Sequence, residues 1–403
     1  METIRIAAAA LTTHKLRSFL TLLGVIIGVM TVVSVVSIIS GLNHLILEKI
    51  LTLNPDVFIV TRFGIITSQE AFLEAVKRKP ISMTDFREVQ RRCTTCEMIG
   101  GSQRTGVQVK RGAQQLNNVQ VLGATANIAE ITNVDVEEGR FFTQSEAHHS
   151  ALVAVIGSDV RDELFGKLDP VGRQMSIAGQ PVRVIGLLRK QGAAFGESQD
   201  KQIYIPLSLY QKRFGSRRNV SLFIRAKGGI PGLQKSVDEV RTIIRARRRT
   251  AFRADDPFGI VTAEAVQIVW RNISAGAFAL MVFISGISLV VGGIVIMNIM
   301  LVSVVERTRE IGIRRAIGAT SRNIQRPFLT EAVLLALVGG AIGVLLGFAI
   351  SKAISTFSPL PTLIRPALVL AALGIAAVTG VVAGFLPAKR AAGLPPIEAL
   401  RWE

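Results

Sequence analysis

No G-x-x-x-x-G-K-[ST] occurs anywhere in the 403 residues, so the chain has no P-loop of its own with which to cradle ATP. H-E-x-x-H and G-x-S-x-G are missing as well, which removes the commonest membrane-anchored hydrolases. Cysteine is reduced to Cys93 and Cys96. A zinc site wants four Cys or His ligands, and C-x-x-C alone is a weak redox signal. In an oxidising compartment the pair reads as a local disulfide, ahead of free thiols or a thioredoxin-like site. Histidine is scarce too: His148 and His149 sit beside Ser145 and Glu146 in a polar stretch and read as exposed side chains, so no metal is expected.

Ionisable residues are also absent from most of four long apolar runs, Ser18–Ser40, about Gly276–Ser303, Phe328–Ile350 and Pro366–Leu386. Glu331, near the start of the third, is the exception, and Asn298 is neutral. A hydrocarbon core about 30 Å thick takes roughly 20 apolar residues as a helix, so each run is long enough to cross. Proton and ion relays need ionisable groups within the membrane, which disfavours an ion-driven transporter. The first run is too long for a signal-peptide core and no A-x-A-like site follows it, so it reads as an uncleaved span. A hydrophobic content of 49% and a mean hydropathy of +0.43 agree with a membrane protein.

The short loops orient it. Arg5, Lys15 and Arg17 precede the first span, six arginines (307, 309, 314, 315, 322 and 326) join spans two and three, and Lys389, Arg390 and Arg401 follow the fourth; the loop between spans three and four has only Lys352 and Arg365. The basic side is cytoplasmic. The expected layout is therefore a cytoplasmic segment 1–17, a first transmembrane helix 18–41, an extracytoplasmic domain 42–270, and a stalk end with the second helix 271–303. A cytoplasmic loop 304–327, a third helix 328–351, an external loop 352–365, a fourth helix 366–387 and a cytoplasmic tail 388–403 complete it. The net charge of +18 splits accordingly: between Glu48 and Arg271 there are 33 basic and 23 acidic residues. Much of the excess is topological and the rest lies outside the cytoplasm, so nucleic acid is not the expected partner. The run Arg245, Arg247, Arg248 and Arg249 reads as the solvated end of a helix, where cations complement the dipole.

Within the large domain, Asp56–Arg62, Gln103–Val109, Leu116–Leu122 and Ser221–Ala226 carry strand composition. Ser82–Arg92 is a helix candidate with Ser82 or Thr84 as N-cap. Gly232–Arg248 has Leu233, Val237, Val240 and Ile244 on one face. These segments bracket an insert of about 124–219, rich in short strands at Leu152–Ile156, Gln174–Ile177, Val182–Leu187 and Gln202–Ile205. The fold class is an α-helical membrane protein with four transmembrane helices and a large extracytoplasmic α+β domain between helices one and two. In that domain a discontinuous part carries an inserted, mostly β subdomain. Gly24 and Gly28, four apart, suit close helix packing.

The most specific segment is Glu306–Thr320, ERTREIGIRRAIGAT. As a helix it sets Glu310 four residues before Arg314, the favourable order, and Ile311, Ile313, Ala316 and Ile317 add an apolar strip. Small residues Gly312, Gly318 and Ala319 suggest close approach by a cytoplasmic partner. This segment, with HKLRSFLTLLGVIIGV (His14–Val29), PPIEALR (Pro395–Arg401), EEGRFF (Glu137–Phe142), VAVIGSDV (Val153–Val160), LFGKLDPVGR (Leu164–Arg173), VRVIGLL (Val182–Leu188) and QIYIPL (Gln202–Leu207), resembles the FtsX-like permeases, most closely the MacB-type permeases of ABC transporters.

The resemblance implies a porter-like part in the outer domain. It also implies a coupling role for Glu306, Arg309, Glu310, Ile311, Gly312, Arg314, Arg315, Gly318 and Ala319. MacB itself carries an ATPase domain ahead of its first span, whereas this chain begins about 17 residues before it. A separate ABC ATPase subunit holding ATP and Mg is therefore expected, with no cofactor in this chain and no catalysis by it. The implied setting is a bacterial inner membrane, with two copies, or one copy and a related permease, acting beside an extracytoplasmic adaptor. Export of a drug, peptide or envelope substrate is the implied task. Release of lipoproteins by a related permease, or regulation of a cell-wall hydrolase or sensor, are the alternatives.

Overall fold

The computed structural model describes residues 15–52, 54–194, 197–357, 362–395 and 399. Residues 1–14, with His14 of the first motif, lie outside these, as does all of the Pro395–Arg401 motif save Pro395 and Ala399. The chain forms two compact units, Ile46–Asn272 and the remainder, Met1–Leu45 with Ile273–Glu403.

After helix α1 (Lys15–Thr52), the first unit runs β1 (Val57–Thr61), α2 (Gln69–Lys77), α3 (Met83–Arg92), β2 (Cys96–Arg111) and β3 (Gln114–Ala124). Next come α4 (Ile128–Ile131), β4 (Val136–Gly139), α5 (Gln144–His148), β5 (Val153–Ile156), α6 (Ser158–Leu164), β6 (Gln174–Ile177) and β7 (Gln180–Leu188). Strands β8 (Ala193–Ala194), β9 (Glu197–Ser198) and β10 (Gln202–Pro206), helix α7 (Leu207–Phe214), β11 (Ser221–Ala226), α8 (Ile230–Arg247) and β12 (Gly259–Thr262) complete it.

One sheet runs through the unit in the order β12-β1-β11-β2-β3-β10-β5-β7-β4, with β6 bridging β2 and β7. Strands β2 and β3 join both parts. Gly112, at φ +58, supplies the left-handed residue their two-residue turn requires. On one side of this hairpin, β11 pairs antiparallel with β1 and β2, setting Phe58 opposite Ile224 and Val60 opposite Leu222. Alternation sends these four inward, where they pack with Phe86 and Val89 of α3 and with Val237, Val240 and Ile244 of α8. On the other side, β10 runs parallel to β3. A second core there gathers Val119, Val121, Ile156, Leu187 and Ile203 with Leu164 of α6 and Tyr210 of α7. The insert thus draws on short helices as well as strands.

Helix α3 starts on a capping box. Ser82 Oγ accepts from the Asp85 N–H, and the Asp85 carboxylate accepts from the Ser82 N–H at 2.9 Å. That carboxylate also takes Arg247 Nε at 2.6 Å and an Arg248 nitrogen at 2.8 Å. Arg245 and Arg241 pair with Asp256 at 2.6 and 3.0 Å. The arginine run expected to be a solvated helix end is instead mostly partnered, because the fold brings Asp85 and Asp256 against the last turn of α8. Burial alone would raise the Asp85 pKa, yet the hydrogen bonds from Arg248, the Ser82 N–H and Arg247 outweigh it and hold the group below its ordinary value.

The second unit holds four helices long and apolar enough to cross a membrane: α1, within Leu22–His44, α9 (Ala263–Glu306), α11 (Ser321–Phe357) and α12 (Pro366–Gly393). They overrun the apolar runs. Helix α9 has 44 residues, about 66 Å at 1.5 Å per residue. The expected loop 352–365 is helical as far as Phe357, since leaving the apolar run does not by itself end a helix. Glycine sets the packing. A Cβ on Gly24 would lie 2.5 Å from Gly292 Cα, and one on Gly28 would lie 2.9 Å from Leu289 Cγ. Both residues therefore pack α1 against α9 within one protomer. Gly339, Gly343 and Gly347 of α11 sit against Val25, Val29 and Val33 of α1, a ladder at four-residue spacing that brings the backbones together.

Candidate functional site

Between α9 and α11 lies α10 (Thr308–Ala316), which holds most of the segment the sequence singles out. A single non-helical residue, Arg307 (φ −103, ψ 16), separates it from α9. Arg307 Nη1 pairs with Glu331 at 3.2 Å, which explains the lone carboxylate at the start of the third apolar run. Sequence reasoning had no partner for Glu331; the signal was a lone acid near a basic loop. At the other end, the Ala319 N–H donates to the Arg314 carbonyl and the Gly318 N–H to the Arg315 carbonyl, both at 3.1 Å. With Gly318 at φ +97, this is a Schellman stop. Gly318 therefore has a backbone reason for lacking a side chain.

Helix α10 has two unlike faces. Thr308, Ile311 and Gly312 are buried, while Arg309, Glu310, Ile313, Arg314 and Ile317 are exposed, with Ile317 80% accessible. The inner face meets the chain's own tail. A Cβ on Gly312 would lie 2.7 Å from Ala399 Cβ. Arg315 Nη1 donates to the Ala392 carbonyl, and to the Leu394 carbonyl at 3.3 Å. Of the residues expected to couple to an ATPase, Ile311, Gly312 and Arg315 thus face the chain's own interior and tail. Only contacts far apart in sequence decide this. The small residues Ala388, Ala391 and Ala392 near the end of α12 were the available signal, and all three are buried.

On the outer face Glu310 and Arg314 form an i,i+4 ion pair, with both side chains more than half exposed. Such a pair contributes only about 0.2–0.5 kcal/mol, so either partner is free to exchange it for a stronger contact. Two exposed isoleucines flank it. Charges of both signs thus lie between exposed apolar side chains on a short helix bounded by Arg307 and Gly318. The helix has no nucleophile–base pair and no chemistry of its own.

In the outer unit, Cys93 and Cys96 form a disulfide. The loop between them is pinned by Glu239 of α8, whose carboxylate accepts from Thr94 N at 3.0 Å, Thr94 Oγ1 at 2.9 Å, Thr95 N at 2.9 Å and Thr95 Oγ1. Burial would raise the Glu239 pKa, but these donors, led by the Thr95 hydroxyl, bring it down to about 2. Among the described residues no three His, Cys, Asp or Glu side chains group as metal ligands.

Residues 18–243 match the MacB-like periplasmic core domain, and residues 282–396 match the FtsX-like permease C-terminal domain. The uncharacterised ABC transporter permease YknZ of Bacillus subtilis is 31% identical over 408 residues, covering 100% of this chain and 99% of YknZ. The chain belongs to the MacB-like family of FtsX-type permeases. The macrolide export ATP-binding/permease protein MacB of Bdellovibrio bacteriovorus is 34% identical over 98% of this chain. The chain spans only 60% of the length of that MacB. The crystal structure of the periplasmic region of MacB from Actinobacillus actinomycetemcomitans superposes with a TM-score of 0.47 at 14% identity, covering 56% of this chain and 98% of that one. Membership makes this a membrane protein with an extracytoplasmic MacB-like domain between its first and second spans.

Proposed function

We propose that the chain is the permease subunit of a MacB-type ABC transporter. In this reading a separate ATPase, which binds ATP and Mg, docks on the exposed face of α10. Its motion passes through the spans to the outer domain and drives export of a drug, peptide or envelope substrate. Two copies, or one copy and a related permease, pair in the bacterial inner membrane with termini and α10 cytoplasmic, beside an extracytoplasmic adaptor. The observation that carries the reading is the outward face Arg309, Glu310, Ile313, Arg314 and Ile317 on a helix held rigidly from behind. The names of the relatives support the division of labour: MacB is described as both ATP-binding and permease, whereas YknZ, matched over 99% of its length, is described as a permease.

The test is co-purification of an ABC ATPase with the full chain from its native membranes. Glu310→Lys should abolish it, because reversing a desolvated interfacial charge costs about 2–5 kcal/mol while the intrachain pair it breaks is worth a tenth of that. The expression level and membrane insertion should not change. Full retention of the ATPase by Glu310→Lys removes this face from the interface.

A further inference from the structure

The inner face of α10 has a job that the docking reading leaves unassigned. Arg315 reaches two main-chain carbonyls, Ala392 and Leu394, at the end of the fourth long helix. Those are carbonyls of a helix's last turn and its C-cap, left without intrahelical donors, at the end of the dipole that favours a cation. One turn before Arg315, Gly312 leaves no room between its Cα and Ala399. Ala399 is itself 1% exposed, and its N–H returns to the Pro395 carbonyl at 3.1 Å. Ile311, Ala388, Ala391 and Ala392 belong to one buried cluster, with Leu394 packed on it. Helix α10 thus meets the tail at Ala392 and Leu394 through Arg315 and at Ala399 through Gly312.

We infer that Arg315 and Gly312 are positioning residues that bind α10 as one body to the tail, Arg315 at the C-terminal end of α12 and Gly312 at Ala399 beyond it. A push on α10 is then delivered to the fourth span directly, and not only through the chain's continuity into α9 and α11. This rests on the docking reading for the source of the push, but the body itself is defined by contacts within this chain. Both bonds leave one nitrogen, Nη1, so lysine would keep the charge at 315 and could still donate to a carbonyl, but its ammonium is more strongly hydrated and less pre-organised than the guanidinium. Graded loss is therefore expected from the parent through Arg315→Lys to Arg315→Gln.

Two measurements on the full chain in membranes test it. The first is the double variant Gly312→Cys with Ala399→Cys. The Cβ separation of 2.7 Å is shorter than the ~3.8 Å of a disulfide, so a shift of about 1 Å suffices for the bond. Mild oxidation should yield the linked peptides by mass spectrometry equally with and without ATP and vanadate. Absence of the link, or its loss in one nucleotide state, overturns the inference whether or not any ATPase docks. The second compares Arg315→Gln with Arg315→Lys in the ATPase-bound complex. Arg315→Gln should keep the co-purifying ATPase but lose at least tenfold of the permease-dependent ATP hydrolysis, with Arg315→Lys between it and the parent. Loss of the ATPase itself, as expected of Glu310→Lys, would make Arg315 a docking residue instead. Full coupled hydrolysis by Arg315→Gln would leave it no role.

Discussion

Replacing Asp85 by asparagine is the sharpest test of what holds the outer domain together. The carboxylate is 5% exposed and faces two guanidiniums, Arg247 at 2.6 Å and Arg248 at 2.8 Å, while also closing the capping box of α3. Arg248 is bound as well to the carbonyls of Lys79, Pro80 and Pro257. It cannot swing away, and the variant strands a charge in place. Removing one partner of a buried pair costs about 3–5 kcal/mol. The amide oxygen of the replacement can still accept from the Ser82 N–H, which keeps most of the ~1 kcal/mol of the cap, and Arg247 is about one-third exposed, which lowers the penalty on its side. The net expectation is about 2–4 kcal/mol, or roughly 30- to 1000-fold in an opening equilibrium. Hydrogen exchange of 83–92 and 230–247 in the full chain reads it directly. Asp256→Asn, at a site whose carboxylate is 26% exposed, should change exchange at the end of α8 by less than tenfold. If Asp85→Asn leaves both segments protected to within threefold of the parent, the arginine cluster is surface decoration and the reasoning fails.

Glu239, at a pKa of about 2, lies below its unfolded value near 4.5. Its contribution is therefore complete above about pH 4.5 and lost as pH falls toward 2, on the order of 1–2 kcal/mol after solvent screening. Thermal unfolding of Glu239→Gln should lose that pH step; an identical step in both proteins contradicts it. Cys93 and Cys96 should take up no maleimide in intact cells until a membrane-impermeant reductant is added, and labelling without reductant would contradict the disulfide outside. Gly24→Leu must force α1 from α9, since even a Cβ meets Gly292 Cα at 2.5 Å. Trypsin digestion in membranes should show new cleavage, whereas Gly276→Leu, where a Cβ has nothing within 4 Å, should not.

The spans were legible because twenty apolar residues in a row have few other uses, and the capped helix after Ser82 because its signal is local. Helix ends were legible only in part: α9 begins at Ala263, where the polar turns ahead of its apolar run already read as helix, whereas α11 begins at Ser321 and takes in Pro327 before its apolar run. The strand order was hidden because β11, more than 100 residues from β1 in sequence, inserts between β1 and β2, a choice made by side-chain burial across the register and not by any local pattern. The arginine run misled because charge density alone cannot say that Asp85 and Asp256 will arrive. In α10 the charged face was readable from periodicity, but no local pattern says that Arg315 meets Ala392 and Leu394 or that Gly312 meets Ala399. A tail some eighty residues away left no mark on the segment itself.

The proposed ATPase site is the outward face of α10. A photoreactive amino acid at position 317, the most exposed apolar position of that face, should trap an ABC ATPase from native membranes on irradiation. The same group at Leu370, an exposed position on the fourth candidate span, should trap none. Capture of the ATPase from 317 and not from 370 is the predicted result. No ATPase from position 317, with the wild-type complex intact beforehand, contradicts the account.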